Sequence, residues 1–218
     1  MLKADLHLHT TSSRDSAVTP ELLIARCKET GINCVAVTDH NAIEGALALK
    51  KTAPFTIIVG EEIRTTHGEI IGYFLSERIP RGLSPEETIS RIKGQGGLVC
   101  VPHPTDRFRP SALDPKSLQA VLPQVDIIEV FNARTPLSRD QKKARLLAQN
   151  NGLLASAGSD SHTPGEIGNA YVEMPEFTTP EEFKSALAQG TVHGKTAGLW
   201  IRVASRLSTM RRWALPPR

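Results

Sequence analysis

Long apolar runs are missing from this 218-residue chain. No stretch approaches the ~20 apolar residues that a membrane span needs, so no membrane partner is expected. A secretory leader is missing too. Residues 1–10 read as a polar-studded strand, without the charged, apolar and cleavable order of a signal peptide. Cysteine is scarce: Cys27, Cys34 and Cys100 make an odd number with no regular spacing. That excludes a disulfide framework and points to a reducing cytoplasm. A strong charge of one sign is also absent, since the net charge is +3. The charge is unevenly placed, with six Lys/Arg and no acid in residues 195–218 (Lys195, Arg202, Arg206, Arg211, Arg212 and Arg218). A weakly acidic body with a basic tail is not the pattern of a dedicated nucleic-acid binder, whose basic patch dominates a face. No repeat, low-complexity tract or dividing linker appears, and no obligate protein partner is inferred.

What remains is an ordinary globular composition, 39% hydrophobic and 22% charged. A chain of this length suits a single domain. Strand-like runs fall at Leu2–Leu8, Cys34–Thr38, Phe55–Val59, Ile70–Leu75, Leu98–Val101, Ile127–Phe131, Leu153–Ala157 and Tyr171–Met174. Helical stretches lie between them. Thr19-Pro20, Ser84-Pro85 and Thr179-Pro180 are helix-entry signals, and Gly31 is a stop. Ser138 opens a basic helix over Arg139–Gln149. The strand–helix order predicts α/β with a mainly parallel sheet closing into a barrel. Two close strand-like runs in Ile63–Leu75 predict a local hairpin. Residues 1–194 are assigned to the barrel and 195–218 to a basic C-terminal helix packed on it. Leu199, Val203, Leu207 and Met210 form that helix's apolar stripe.

The histidines carry the functional signal. Five of the seven fall where strands should end. Alternation along a strand puts Asp5, His7 and His9 on one face, so the two imidazoles can share a metal ion. Thr38-Asp39-His40-Asn41 closes the second strand, and Glu61-Glu62 follows the third. Pro102-His103-Pro104 follows the fifth, and Ser159-Asp160-Ser161-His162 follows the seventh. The C-terminal strand ends form the active face of an α/β barrel. Any one motif alone reads as a cap or a rigid turn. Five at the same end read as a metal site.

These segments, with Asp5-Leu6-His7-Leu8-His9-Thr10 and Gly60-Glu61-Glu62, resemble the ordered motifs of the polymerase and histidinol phosphatase (PHP) family across residues 5–162. The resemblance implies a distorted (β/α)7 TIM-like barrel with two or three divalent ions (manganese, iron or zinc) at the C-terminal ends of its strands. It implies hydrolysis of a phosphomonoester or phosphodiester, of a nucleotide or small phosphorylated metabolite, by a metal-activated hydroxide. His7, His9, Glu62 and Asp160 would hold one ion. Glu62 would bridge to a second, which His103 also binds. Asp15, His40 and His162 would hold a third. Asp5 and Asp39 would fix imidazole tautomers. Where many relatives place a hairpin histidine, this chain has Glu69, with His67 two residues earlier, and Glu69 is the preferred ligand.

Asp15, Glu62 and His162 are taken as catalytic, together with Arg134 as phosphate clamp. Arg14 and Arg64 are secondary clamp candidates, and His193 lies outside every motif. The expected substrate is a small phosphorylated molecule, with a nucleotide or short oligonucleotide among the candidates. An exonuclease-type phosphodiesterase is one alternative. An amidohydrolase-like enzyme and a degenerate binding module are the others.

Overall fold

The computed structural model describes residues 1–196. The C-terminal helix expected on the apolar stripe therefore lies outside the described residues. Nine strands are present: β1 (Leu2–Leu8), β2 (Cys34–Val37), β3 (Thr56–Thr65), β4 (Gly68–Tyr73), β5 (Leu98–Val101), β6 (Ile127–Asn132), β7 (Leu154–Gly158), β8 (Ala170–Met174) and β9 (Thr191–Gly194). Six helices connect them: α1 (Pro20–Thr30), α2 (Glu44–Thr52), α3 (Pro85–Gly94), α4 (Pro115–Val121), α5 (Ser138–Asn150) and α6 (Pro180–Ala188).

Local chemistry explains the helix starts. Thr19, Ser84, Asp114 and Thr179 each accept a first-turn backbone N–H, and each precedes a proline. Gly31, with φ of 73°, ends α1 in the left-handed region that a side chain disfavours. By contrast α2 begins at Ile43 with no side-chain cap, so its entry carried no signal.

The sheet runs β7-β6-β5-β4-β3-β2-β1-β8-β9. The β1–β2, β2–β3, β5–β6 and β6–β7 pairs are parallel. The β3–β4, β4–β5, β1–β8 and β8–β9 pairs are antiparallel. The expected mainly parallel sheet is thus corrected to an even mixture. The Thr65–Gly68 turn reverses β4, and β8 runs back along β1.

The sheet curls into a nearly closed barrel. At its seam Asp160 N–H donates to the His7 carbonyl at 2.7 Å and His9 N–H to the Ser161 carbonyl at 3.0 Å. Gly158 permits this approach, since a Cβ there would stand 2.2 Å from the Cβ of His7. Small and apolar side chains such as Ala4, Leu6, Ala36, Ile71 and Cys100 fill the interior. Phe183 of α6 closes the end away from the histidines, against Tyr73. The outer face packs Val35, Val37, Ile128 and Val130 against helix residues such as Leu23, Leu49, Ile89 and Ala144.

Candidate metal centre

One extra residue in β1 sets the first part of the site. Asp5 pairs with Val35, yet Leu8 pairs with Val37, so β1 bulges between them. The bulge breaks the alternation that placed Asp5 with His7 and His9. Asp5 instead accepts backbone N–H groups of Ser159 and Gly168, at 2.9 and 3.0 Å. It is a seam residue and fixes no imidazole. Burial pushes its pKa up to about 6.

His7 and His9 are buried, with their Nε2 atoms 3.2 Å apart. His9 Nε2 stands 3.3 Å from Asp160 Oδ1 and 3.5 Å from Glu62 Oε2. His7 Nε2 stands 3.5 Å from Glu62 Oε1 and 3.8 Å from Asp160 Oδ1. Donors ~2.1 Å from a common divalent ion stand roughly 3.0–3.5 Å apart, so this spacing suits one. Asp160 Oδ1 is buried without a hydrogen-bond partner among the described residues, as is Glu69 Oε2. Buried orphan oxygens are costly, and a cation would satisfy them.

Glu62 sits inside β3, which continues through Glu61 and Glu62 to Thr65, past the expected end at Val59. Glu62 faces the cluster. Glu61 faces away, accepting the Ile79 N–H at 2.8 Å. Burial raises the Glu61 pKa to about 7. From the far side, His103 Nε2 meets Glu62 Oε1 at 3.0 Å and lies 3.8 Å from Glu69 Oε2. His40 Nδ1 stands 3.0 Å from Glu62 Oε2. Three groups offer convergent donors: His7/His9/Glu62, His9/His40/His162 and His40/Glu62/Glu69. Asp15 joins the second, 3.2 Å from His162 Nε2 and 3.5 Å from His40 Nε2. Glu69 enters the cluster, whereas His67 sits on the hairpin tip, 2.7 Å from the Thr66 hydroxyl.

Three of the four non-glycine residues with positive φ among the described residues lie on this face. Asn41, His103 and Asp160 have φ of 53°, 34° and 52°, whereas the fourth, Phe74, packs on Phe183. Non-glycine residues rarely adopt such angles, which cost ~1–3 kcal/mol each. In each case the kink falls where a strand hands over to its loop.

Mutual charge sets the protonation. Burial and the neighbouring His162 and His40 lower the His9 pKa to about 3, leaving it neutral with a free lone pair. Burial opposes charge on His7 and His40, but the adjacent carboxylates outweigh it and raise both well above the usual range. Glu62 and Asp160 are held well below theirs despite burial, Glu62 by His7 and His40, Asp160 by Arg109 and His7. A cation between them would supply the positive charge that the histidines now share.

Two residues here escaped the sequence reading. Glu129, in mid-β6, holds His7 Nδ1 at 2.9 Å, the His103 N–H at 2.7 Å and Asn132 Nδ2 at 2.9 Å. It takes the tautomer-fixing role expected of Asp5. Its signal was a lone carboxylate in the apolar run Ile127–Phe131. Asp39 does not touch an imidazole either. It binds Ser13 Oγ at 2.8 Å, and Ser13 Oγ lies 3.4 Å from His9 Nδ1. The second missed residue, Arg109, is largely buried in the loop after β5 and pairs with Asp160 Oδ2 at 2.5 Å. Arg134 is mostly buried against His162 Nδ1, also at 2.5 Å. Arg64 pairs loosely with Glu69 at 3.7 Å. His193 stacks on Tyr171, away from the cluster.

A distorted α/β barrel with a buried histidine–carboxylate cluster at its strand ends is compatible with divalent metal binding. The chain is 35% identical over 196 residues to an uncharacterised protein of Methanocaldococcus jannaschii, covering 85% of this chain and 79% of that one. A second uncharacterised protein of that organism is 44% identical over 147 residues, 61% of this chain and 82% of the relative. Residues 138–192 match the PHP-associated family model. A two-domain Bacteroides vulgatus protein containing a predicted PHP-like metal-dependent phosphoesterase superposes with a TM-score of 0.66 at 21% identity, across 89% of this chain and 65% of that one. This chain belongs to the PHP domain family. Among the described residues, no helix is long and apolar enough to cross a membrane.

Proposed function

We propose that this chain is a metal-dependent phosphoesterase that hydrolyses a phosphomonoester or phosphodiester of a small phosphorylated molecule. One observation carries the reading: Glu62 stands buried between two sets of imidazoles, with orphan carboxylate oxygens beside it. His7, His9, Glu62 and Asp160 fit one divalent ion. His103 and Glu69, sharing Glu62, fit a second, and His40, His162 and Asp15 a third. When bound, such ions polarise phosphoryl oxygens and lower the pKa of water. The carboxylate at Glu69 favours a hard ion such as manganese over zinc or iron.

The chain's own groups do the rest. Arg134 and Arg109 bring guanidinium forks to the cluster, and such forks suit two phosphoryl oxygens. Asp15, partly exposed beside His162, is held well below the usual carboxylate range by His162 and His40 despite its burial, so it stays an anionic donor at the rim. Glu62 holds both halves of the cluster in register. The free buried cysteines suit the cytoplasm.

The test is turnover of phosphomonoesters, dinucleotides and short single strands with manganese, iron and zinc. His9→Ala, Glu62→Ala and Asp160→Ala are each expected to abolish hydrolysis in a protein that still folds. Wild-type turnover in any of them would refute the site. Processive strand trimming would favour the exonuclease reading. Amide hydrolysis would favour the amidohydrolase-like one, and absence of stoichiometric metal the degenerate module.

A further inference from the structure

Beside the metal cluster lies a cleft of about 770 Å³ that the reaction above leaves unused. Sites that take small ligands span ~300–1,000 Å³, so it has the size of a binding site. Its walls come from the loop after β1, from the Asn41 turn after β2 and from the loop between β4 and α3. Arg14, Arg78 and Arg81 line it, along with Asp15, His40 and Asn41.

Two facts make this cleft more than solvated surface. It shares Asp15 and His40 with the cluster, so a substrate whose phosphate reaches the cluster can place its remainder here. Its three arginines also have little to do for the fold. All are exposed, and none forms an ion pair among the described residues. Arg78 only helps to offset the buried Glu61. Three like charges around one concavity repel each other, and an anion between them removes that repulsion. Guanidinium forks match phosphate oxygens in geometry as well as charge.

We infer that this cleft binds a second phosphate of the substrate, so the substrate class is a small molecule carrying two phosphate groups. The inference rests on the phosphoesterase reading. One phosphate enters the cluster, where water adds to phosphorus. The P–O ester bond breaks, and the alcohol leaves with the proton. The other phosphate stays on the arginines. A single-stranded nucleic acid fits less well. Such grooves offer aromatic platforms for successive bases, and among the described residues no Phe, Tyr or Trp lines this cleft.

The experiment uses a graded set of synthetic esters: propyl phosphate, and the bisphosphates of propane-1,3-diol, butane-1,4-diol and hexane-1,6-diol. With the metal-loaded wild type, at least one bisphosphate is expected to exceed propyl phosphate by roughly 10-fold or more in kcat/KM, the worth of one charge-assisted contact. Arg78→Gln/Arg81→Gln should erase that preference and leave propyl phosphate turnover within about 2-fold of wild type. The preference should also shrink as salt rises. A wild type that treats all four alike, or a double variant that keeps the preference, overturns the inference.

Calorimetric titration with the same bisphosphates separates this from failure of the phosphoesterase reading. If no ester is turned over, that reading falls, but Arg78/Arg81-dependent binding still supports the cleft. Equal or absent binding in both proteins overturns it. Tighter arginine-dependent binding of a short single strand than of any bisphosphate overturns it in favour of nucleic acid.

Discussion

Glu129→Gln tests how the cluster keeps its histidines ready for metal. The change preserves shape and removes one acceptor. In the native protein Oε2 accepts two N–H groups, from the His103 backbone at 2.7 Å and from Asn132 at 2.9 Å. Oε1 faces His7 Nδ1 at 2.9 Å. Glutamine has a single oxygen, and two fixed donors claim it on the Oε2 side. Its amide nitrogen then faces His7, which must answer with a lone pair on Nδ1. The imidazole proton moves to Nε2, the atom that faces His9, Glu62 and Asp160. His7 leaves the donor set without moving. Loss of such an outer partner weakens metal binding ~10–100-fold, or about 1.4–2.7 kcal/mol. The opposite amide rotamer avoids this but leaves two buried N–H groups unpaired, at ~1–3 kcal/mol each. The variant therefore loses affinity or stability. Chelator competition reads the first, and denaturation of the metal-free protein the second. Nitrogen-15 NMR reads the His7 tautomer. Unchanged affinity, unchanged stability and a proton still on Nδ1 would refute the argument.

Glu61→Gln should flatten the pH dependence of stability. Burial raises the native Glu61 pKa to about 7. The native state therefore keeps a proton that the unfolded chain loses from about pH 4.5, and stability falls as pH rises from there through 7. The contribution is at most ~3 kcal/mol. Denaturant titrations of chelator-treated protein at pH 5 and pH 8 should show it in the wild type and not in the variant. Identical slopes would contradict it. Glu69→Gln should weaken metal binding ~10-fold or more by removing an anionic donor, whereas His67→Ala should leave metal content unchanged by elemental analysis. The reverse result would return the hairpin role to His67. Gly158→Ala should destabilise the barrel by ~3 kcal/mol or more, because the added methyl meets His7 Cβ at 2.2 Å. A thermal midpoint like the wild type's would show that the seam yields more easily than its geometry implies.

The sequence spoke clearly wherever chemistry is local. Thr19-Pro20, Ser84-Pro85 and Thr179-Pro180 announced their helices because cap and proline act on the next turn. Asp114-Pro115 carries the same signature, and α4 begins there. The convergence of His7, His9, His40, Glu62, His103, Asp160 and His162 was legible because each ends or adjoins a strand of one barrel. Three features were hidden because they depend on partners distant in sequence. The β1 bulge, which parts Asp5 from His7, exists only relative to the register with β2. Glu129 meets His7 across 122 residues of chain. Arg109 meets Asp160 only once the loop after β5 folds over the seam.

That seam explains why site and fold cannot be separated here. The bonds that join β7 to β1 belong to His7, His9, Asp160 and Ser161, so the closing residues are also cluster residues. Asp5 pins the Ser159 and Gly168 N–H groups from outside, and Glu129 pins His7 from inside. Between these two carboxylates β1 is held in its bulged form, which turns both imidazoles inward. His7, His40 and Arg109 hold Glu62 and Asp160 ionised, whereas burial and the neighbouring Glu62 raise the pKa of Glu69. The barrel therefore closes around buried carboxylates that depend on positive partners. A divalent ion at that point would favour both ligation and closure. Metal binding and barrel stability should then rise and fall together through the same few seam contacts.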